Sequence, residues 1–245
     1  MKRNIDLLNG RILPSLTALA VPIMATSLVQ MAYNLTDMAW IGRVGSNAVA
    51  AVGAAAMYTW LSSGLVSIAK MGGQVKAAHA IGEGNRQEAG IYAGGALWLA
   101  VFLGVVYALI VNLFAGPLIG FFGLSDPEII ADAVVYLRIT CGLIVMSFLS
   151  QTLTGLYTAA GDSRTPFLAN CVGMGANMIL DPVLIFGIGP FPRLEAAGAA
   201  IATVTAQGIV MVVLLVMTRK DTLLFPHVHV GKRVPAAFLK TIIRV

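Results

Sequence analysis

Asn177 and Asp181 lie four residues apart inside the apolar run Gly173–Phe186, with Pro182 directly after the acid. In a helix that spacing puts the amide and the carboxylate on one face, a turn apart, where both can reach one ligand. Pro182 has no N–H to give, so the carbonyl of Met178 loses its intrahelical partner and adds an oxygen to the same patch. An ionisable group at membrane depth costs about 2.5 kcal/mol or more, which makes Asp181 a functional residue by default. Oxygen ligands beside interrupted helix geometry suit a proton or a small hard cation such as Na+. The structural alternative is a neutral acid hydrogen-bonded to a neighbouring helix.

The elements that must position this pair are membrane helices. The chain is 58% hydrophobic and only 11% charged, where soluble domains carry about a quarter charged residues. Apolar runs near the roughly 20 residues that a spanning helix needs occur at 14–41, 48–71, 92–114, 133–157, 165–188 and 196–217. Six helices follow, and their many Gly and Ala residues permit close contact where no hydrophobic force separates helix from lipid. The fold class is therefore an all-α integral membrane bundle of six spans. It occupies residues 1–218, with a polar cytoplasmic segment over 219–245 that ends in an amphipathic interfacial stretch at 236–245.

Lys and Arg set the orientation. Lys2, Arg3, Arg11, Lys70, Lys76, Arg86, Arg164, Arg219 and the basic residues beyond fall on one side, against Arg43 and Arg193 on the other and Arg138 near its edge. Both termini are thereby cytoplasmic, and the net charge of +5 reflects topology rather than a nucleic-acid face. Lys70, Lys76 and His79 are read as markers of the inner interface that contact lipid headgroups. Arg138 is read as reaching the outer headgroups, with Asp132 or Asp37 as alternative partners.

In this topology Asp37 lies about 6 Å below the outer end of the first helix and Asp181 about 10 Å below that of the fifth. Tyr136 falls near the outer start of the fourth helix, so all three can share a pocket if helices one, four and five meet. Pro22 frees the carbonyl of Ala18 in mid-membrane and marks a bend or hinge in the first helix. Cys141 and Cys171 sit in apolar segments without partners for a metal set, so neither a metal nor a disulfide is expected. The His227-x-His229 pair reads as a solvated loop. Gly82-Glu-Gly-Asn-Arg86 lacks the strand and lysine of a phosphate loop and reads as a turn. Asp162 or Ser163 caps the helix that follows.

Five segments together resemble the multidrug and toxic compound extrusion (MATE) family, in its prokaryotic DinF-like branch. They are Asn34-Leu-Thr-Asp37-Met-Ala-Trp-Ile-Gly42, Ala80–Asn85, Phe122–Pro127 before Tyr136-Leu-Arg138, Gly161–Pro166 and Asn177–Pro182. The resemblance implies a multi-pass exporter in the cell (inner) membrane that moves amphipathic, mostly cationic drugs against entry of H+ or Na+. It implies that Asp37, Asn177 and Asp181 form the cation site, with Tyr136 beside them and Pro22 at the bend of the first helix. Where some members carry an asparagine late in the fourth helix, this chain offers Thr154, which leaves the choice of ion open.

Family members have twelve helices in two lobes, and this chain supplies the amino-terminal one. The expected partner is a second lobe or, because the lobes are related by an axis along the membrane normal, a parallel homodimer. Three other functions compete. A lipid-linked substrate flippase would want a cationic cavity, and the charges deep in these helices read as acidic. A membrane enzyme would want a catalytic dyad or metal set that the helices do not display. A truncated, non-transporting lobe would act only with its missing half.

Overall fold

The computed structural model describes residues 12–219 and 224–228. Its helices are α1 (Ile12–Val44), α2 (Ser46–Gly82), α3 (Arg86–Gly120), α4 (Pro127–Gly142), α5 (Ile144–Ala159), α6 (Arg164–Phe186) and α7 (Glu195–Thr218). A single 3-10 turn follows at Phe225–His227. Five helices are long and apolar enough to span a membrane by themselves, and α4 with α5 makes the sixth span. The expected amphipathic stretch at 236–245, His229 and the basic residues at either end of the chain lie outside the described residues.

The polar connections act as stops and caps. Asn85 accepts from the Glu88 N–H (3.1 Å) and returns a bond to the Glu88 carboxylate (2.8 Å), a reciprocal cap that opens α3. Asp126 accepts from Glu128 N–H (2.9 Å), with Pro127 in the first turn of α4. Asp162, rather than Ser163, accepts the Arg164 and Thr165 N–H groups (3.1 and 3.0 Å) at the start of α6.

Two spans are less straight than their sequences suggest. The fourth breaks at Leu143 (φ −106°, ψ 17°), and its halves meet at 45°. The third continues past its expected end to Gly120, with a non-helical residue at Phe114 (φ −110°, ψ 16°) just before Pro117. Pro117 removes the N–H that the Leu113 carbonyl would otherwise use, so the ladder is already interrupted there.

Small residues set the helix spacing. A Cβ built on Gly173 of α6 would stand 2.2 Å from Val210 Cγ2 and 3.0 Å from the Ala206 carbonyl oxygen of α7. A Cβ on Gly198 of α7 would stand 2.5 Å from the Leu184 oxygen of α6. The α6 backbone thus meets a side chain and the backbone of α7 at Gly173, and the two backbones meet at Gly198, which brings dispersion contacts that larger residues would prevent. At the end of the bundle where α2 gives way to α3, Leu224 is fully buried among Ala77, Ala80, Ala93 and Leu156. The Tyr157 and Phe225 rings lie 4.7 Å apart. This corrects the sequence reading of a polar, solvated segment there: Leu224 and Phe225 give it an apolar face, and the His227 backbone lies against Gly90.

Gly175 has nothing within 4 Å of an added Cβ, although it is only two residues from Gly173. Gly173→Val should cost about 1–3 kcal/mol by overpacking and lower the thermal unfolding midpoint in detergent by several degrees. Gly175→Ala should leave the midpoint unchanged or slightly raised.

Candidate functional site

The first span is the outlier of the bundle. α1 packs chiefly on α6 and touches α2 and α7 lightly, and Ile41 is the first fully buried side chain among those described along it. The α1–α6 seam carries the acids. Asp37 is seven residues below the outer end of α1 and Asp181 five below that of α6, so both lie about 8–10 Å down.

Their carboxyl groups face each other, with the Asn177 amide next to Asp181. Asn177 and Asp181 are wholly inaccessible to solvent. Oδ1 of Asp37, both carboxylate oxygens of Asp181, and both polar atoms of the Asn177 amide are buried without a partner. Buried polar atoms are normally satisfied, so five orphaned atoms from three residues in one seam leave unused hydrogen-bonding and ligand capacity there.

Two tyrosines flank the acids. Tyr136 of α4, buried, lies within electrostatic reach of Asp37 and Asp181. Tyr33 of α1, one turn inward of Asp37, does the same and bonds the Thr203 hydroxyl of α7 at 3.3 Å. Sequence reasoning missed Tyr33, although its i, i+4 spacing to Asp37 was the available signal. Outward of the acids, the Trp40 and Phe186 rings meet edge-on at 6.0 Å and cover the seam. The Arg43 guanidinium lies 4.8 Å from the Trp40 ring.

Thr154 is not brought to this cluster. Its hydroxyl donates to the Ser150 carbonyl at 2.9 Å, and it lies five residues, about 8 Å, from the inner end of α5. It lines a separate cavity of about 810 Å³ enclosed by α1, α2, α5, α6 and α7. Polar stripes at helical spacing form the cavity walls: Thr26, Gln30 and Asn34 on α1, Thr59, Ser63, Lys70 and Gln74 on α2, and Ser147, Gln151, Thr154 and Thr158 on α5. On α1 the stripe runs outward from Asn34 to Asp37, which joins the cavity wall to the acidic seam within one turn.

Lys70 corrects a reading made from sequence. Its side chain lines the cavity rather than reaching lipid headgroups, and its stem lies against Gly155, where an added Cβ would be 3.0 Å from Lys70 Cγ. Deep charge in the helices is thus not only acidic, and among the described residues no Asp or Glu lines this cavity. Arg138 pairs with neither Asp132 nor Asp37; the one ion pair among the described residues joins Arg193 to Glu195 at 3.0 Å on the exposed outer loop.

Pro22 sits inside an α1 that remains helical from Ile12 to Val44. The Thr26 hydroxyl donates to the Pro22 carbonyl at 2.8 Å. Pro182 likewise lies within a continuous α6, which ends at Gly187 in the left-handed region (φ 72°).

Six spans around a polar cavity, with a carboxylate pair buried in the seam beside it, define one lobe of a membrane transporter. The chain belongs to the MatE family, whose model matches residues 22–183. It is 33% identical over 196 residues to a probable multidrug resistance protein NorM from Thermotoga maritima, covering 78% of this chain and 41% of the relative. It is 31% identical over 205 residues to an FAD transporter from Shewanella oneidensis, covering 83% of this chain and 45% of the relative. Among solved structures it superposes on a MOP superfamily transporter from Pyrococcus furiosus, described as having a binding pocket of reverse polarity. That match has a TM-score of 0.89 at 25% identity and covers all of this chain and 53% of the other. The chain spans about half the length of these relatives, as one lobe of a two-lobe transporter does.

Removing one of two facing, unpartnered carboxylates relieves a buried charge without changing side-chain volume. Asp181→Asn should therefore fold and unfold thermally at or above the wild-type midpoint. A marked drop would mean that the carboxylate is structural glue holding α6 to its neighbours.

Proposed function

We propose that this chain is the ion-coupling lobe of a secondary exporter that moves amphipathic compounds, drugs among them, in exchange for H+ or Na+. The observation that carries this reading is the set of unpartnered polar atoms on Asp37, Asn177 and Asp181. Two carboxylates and an amide oxygen offer hard oxygen ligands to Na+, and either carboxylate takes a proton. In both cases the bound cation cancels charge at the seam between α1 and the rest of the lobe.

Neutralising that charge changes how closely α1 lies on α6. Pro22 is where α1 yields, because the Ala18 carbonyl there lacks its intrahelical donor. The α1 residues above Pro22 carry the Thr26–Gln30–Asn34 stripe of the cavity wall, so bending at Pro22 narrows the cavity and expels its contents outward. Ion and cargo are coupled through α1 without sharing ligands, since Asp37 and Asp181 stand beside the cavity and not on its lining.

A second lobe completes the transporter, supplied by further chain or by a parallel copy of this one. Leu28, Trp60 and Leu61 present large exposed apolar surface on α1 and α2 (67%, 76% and 58%) for lipid or for that lobe. The cell membrane is the expected location, with the basic loops in the cytoplasm. The cationic cargo that the resemblance implies finds no carboxylate among the described lining residues, and the relative named as an FAD transporter carries an anion.

Proteoliposomes loaded with fluorescent amphiphiles of either charge test the reading under imposed pH or Na+ gradients. Gradient-driven release should be lost in Asp181→Asn and in Asp37→Asn, falling to the leak rate of empty liposomes. Release that persists in both variants at the wild-type rate would contradict the assignment.

A further inference from the structure

We propose that Lys70 makes this cavity a receptor for the anionic group of an amphipathic cargo, a carboxylate or phosphate on an apolar body. The proposal rests on the reading of the cavity as the cargo site and gives the class of cargo. Its volume of about 810 Å³ lies within the range of about 300–1,000 Å³ in which drug-sized ligands are enclosed. Lys70 is the one charged side chain among its described lining residues. No carboxylate stands within ion-pair distance of it among the described residues.

An ammonium without a counter-ion, on a wall recessed from water, is costly by itself and attracts an anion more strongly than a surface lysine does. The surroundings suit such a guest. Gln74, Gln151, Asn170 and Gln207 supply amide N–H donors from four helices, and amides bind an anion without repelling it. Ile23, Met31 and Val210 give the apolar body a surface to cover. Gly155 holds the geometry: the lysine stem lies across it, and the neighbouring Gln74 Oε1 is 3.3 Å from the position a Cβ would take.

Two sources supply this chemistry, a free anionic amphiphile and an anionic lipid headgroup. Equilibrium binding to the full chain in nanodiscs separates them and needs no transport, so it stands whether or not gradient-driven release is seen. Dansylglycine and dansylcadaverine carry one fluorophore with a carboxylate or an ammonium. Wild type should bind dansylglycine the more tightly. Lys70→Gln should weaken dansylglycine about tenfold, the scale of one charge-assisted contact, and leave dansylcadaverine unchanged or tighter. Lys70→Arg should restore the preference.

Replacing phosphatidylcholine with phosphatidylglycerol in the disc then reads the source. Competition with dansylglycine that vanishes in Lys70→Gln assigns the site to a headgroup, and lack of competition assigns it to a free anion. Equal binding of the two probes by wild type, or undiminished dansylglycine binding by a Lys70→Gln protein of wild-type thermal midpoint, would overturn the proposal.

Discussion

Everything in this lobe is arranged around two carboxylates that face each other in a helix seam, with Oδ1 of Asp37 and both oxygens of Asp181 buried and unpartnered. Buried like charges oppose both folding and membrane insertion, so the remainder of the lobe must supply the stability that they remove. It does so by close packing. Gly173 and Gly198 lock α6 to α7, Ala and Gly line the α2–α3 contact, and α4 with α5 anchors on α2, α3 and α7. The helix left loose is α1. It contributes Asp37 and is held mainly by the seam itself, so in the proposed function the bound state of the acids governs the position of α1 more than that of any other element.

In the proposed function the same constraint separates ion from cargo. A cavity lined by the acids would make the two ligands compete for one charge. Here the polar stripe of α1 lines the cavity up to Asn34, and Asp37 follows one turn further out behind the wall. In the proposed function coupling then passes through a mechanical element, the upper part of α1, rather than through shared ligands. Such coupling requires that the two ends of α1 move independently, and Pro22 lies between them.

Much of this was legible in the sequence, for a physical reason. Spans and the isolated acids are written as departures from an apolar background, where each polar residue is expensive enough to be noticed one at a time. Asp37, Asn177, Asp181 and Tyr136 stood out in this way, and the structure gathers them. Cooperative features were harder to see. The break at Leu143 has no proline to announce it. The cavity stripes consist mostly of Ser, Thr, Gln and Asn, and the hydroxyls among them are individually cheap in helices because they back-bond to the preceding turn, as Thr154 does to Ser150; only their shared 3.6-residue period carries the signal. Lys70 was assigned to the headgroups because distance along the chain does not tell a cavity wall from a lipid face, and the burial of Leu224 depends on partners from three helices.

The central claim is that Asp37 and Asp181 bind and release a cation. Difference infrared spectroscopy of the purified chain, recorded across a pH titration with and without Na+, reads their carboxyl bands directly. The account predicts a carboxylic-acid band that appears on acidification, or a carboxylate band that shifts with Na+, and that is absent from the Asp37→Asn/Asp181→Asn protein. Spectra that change identically in wild type and the double variant would show that neither group takes up an ion, and would contradict the account.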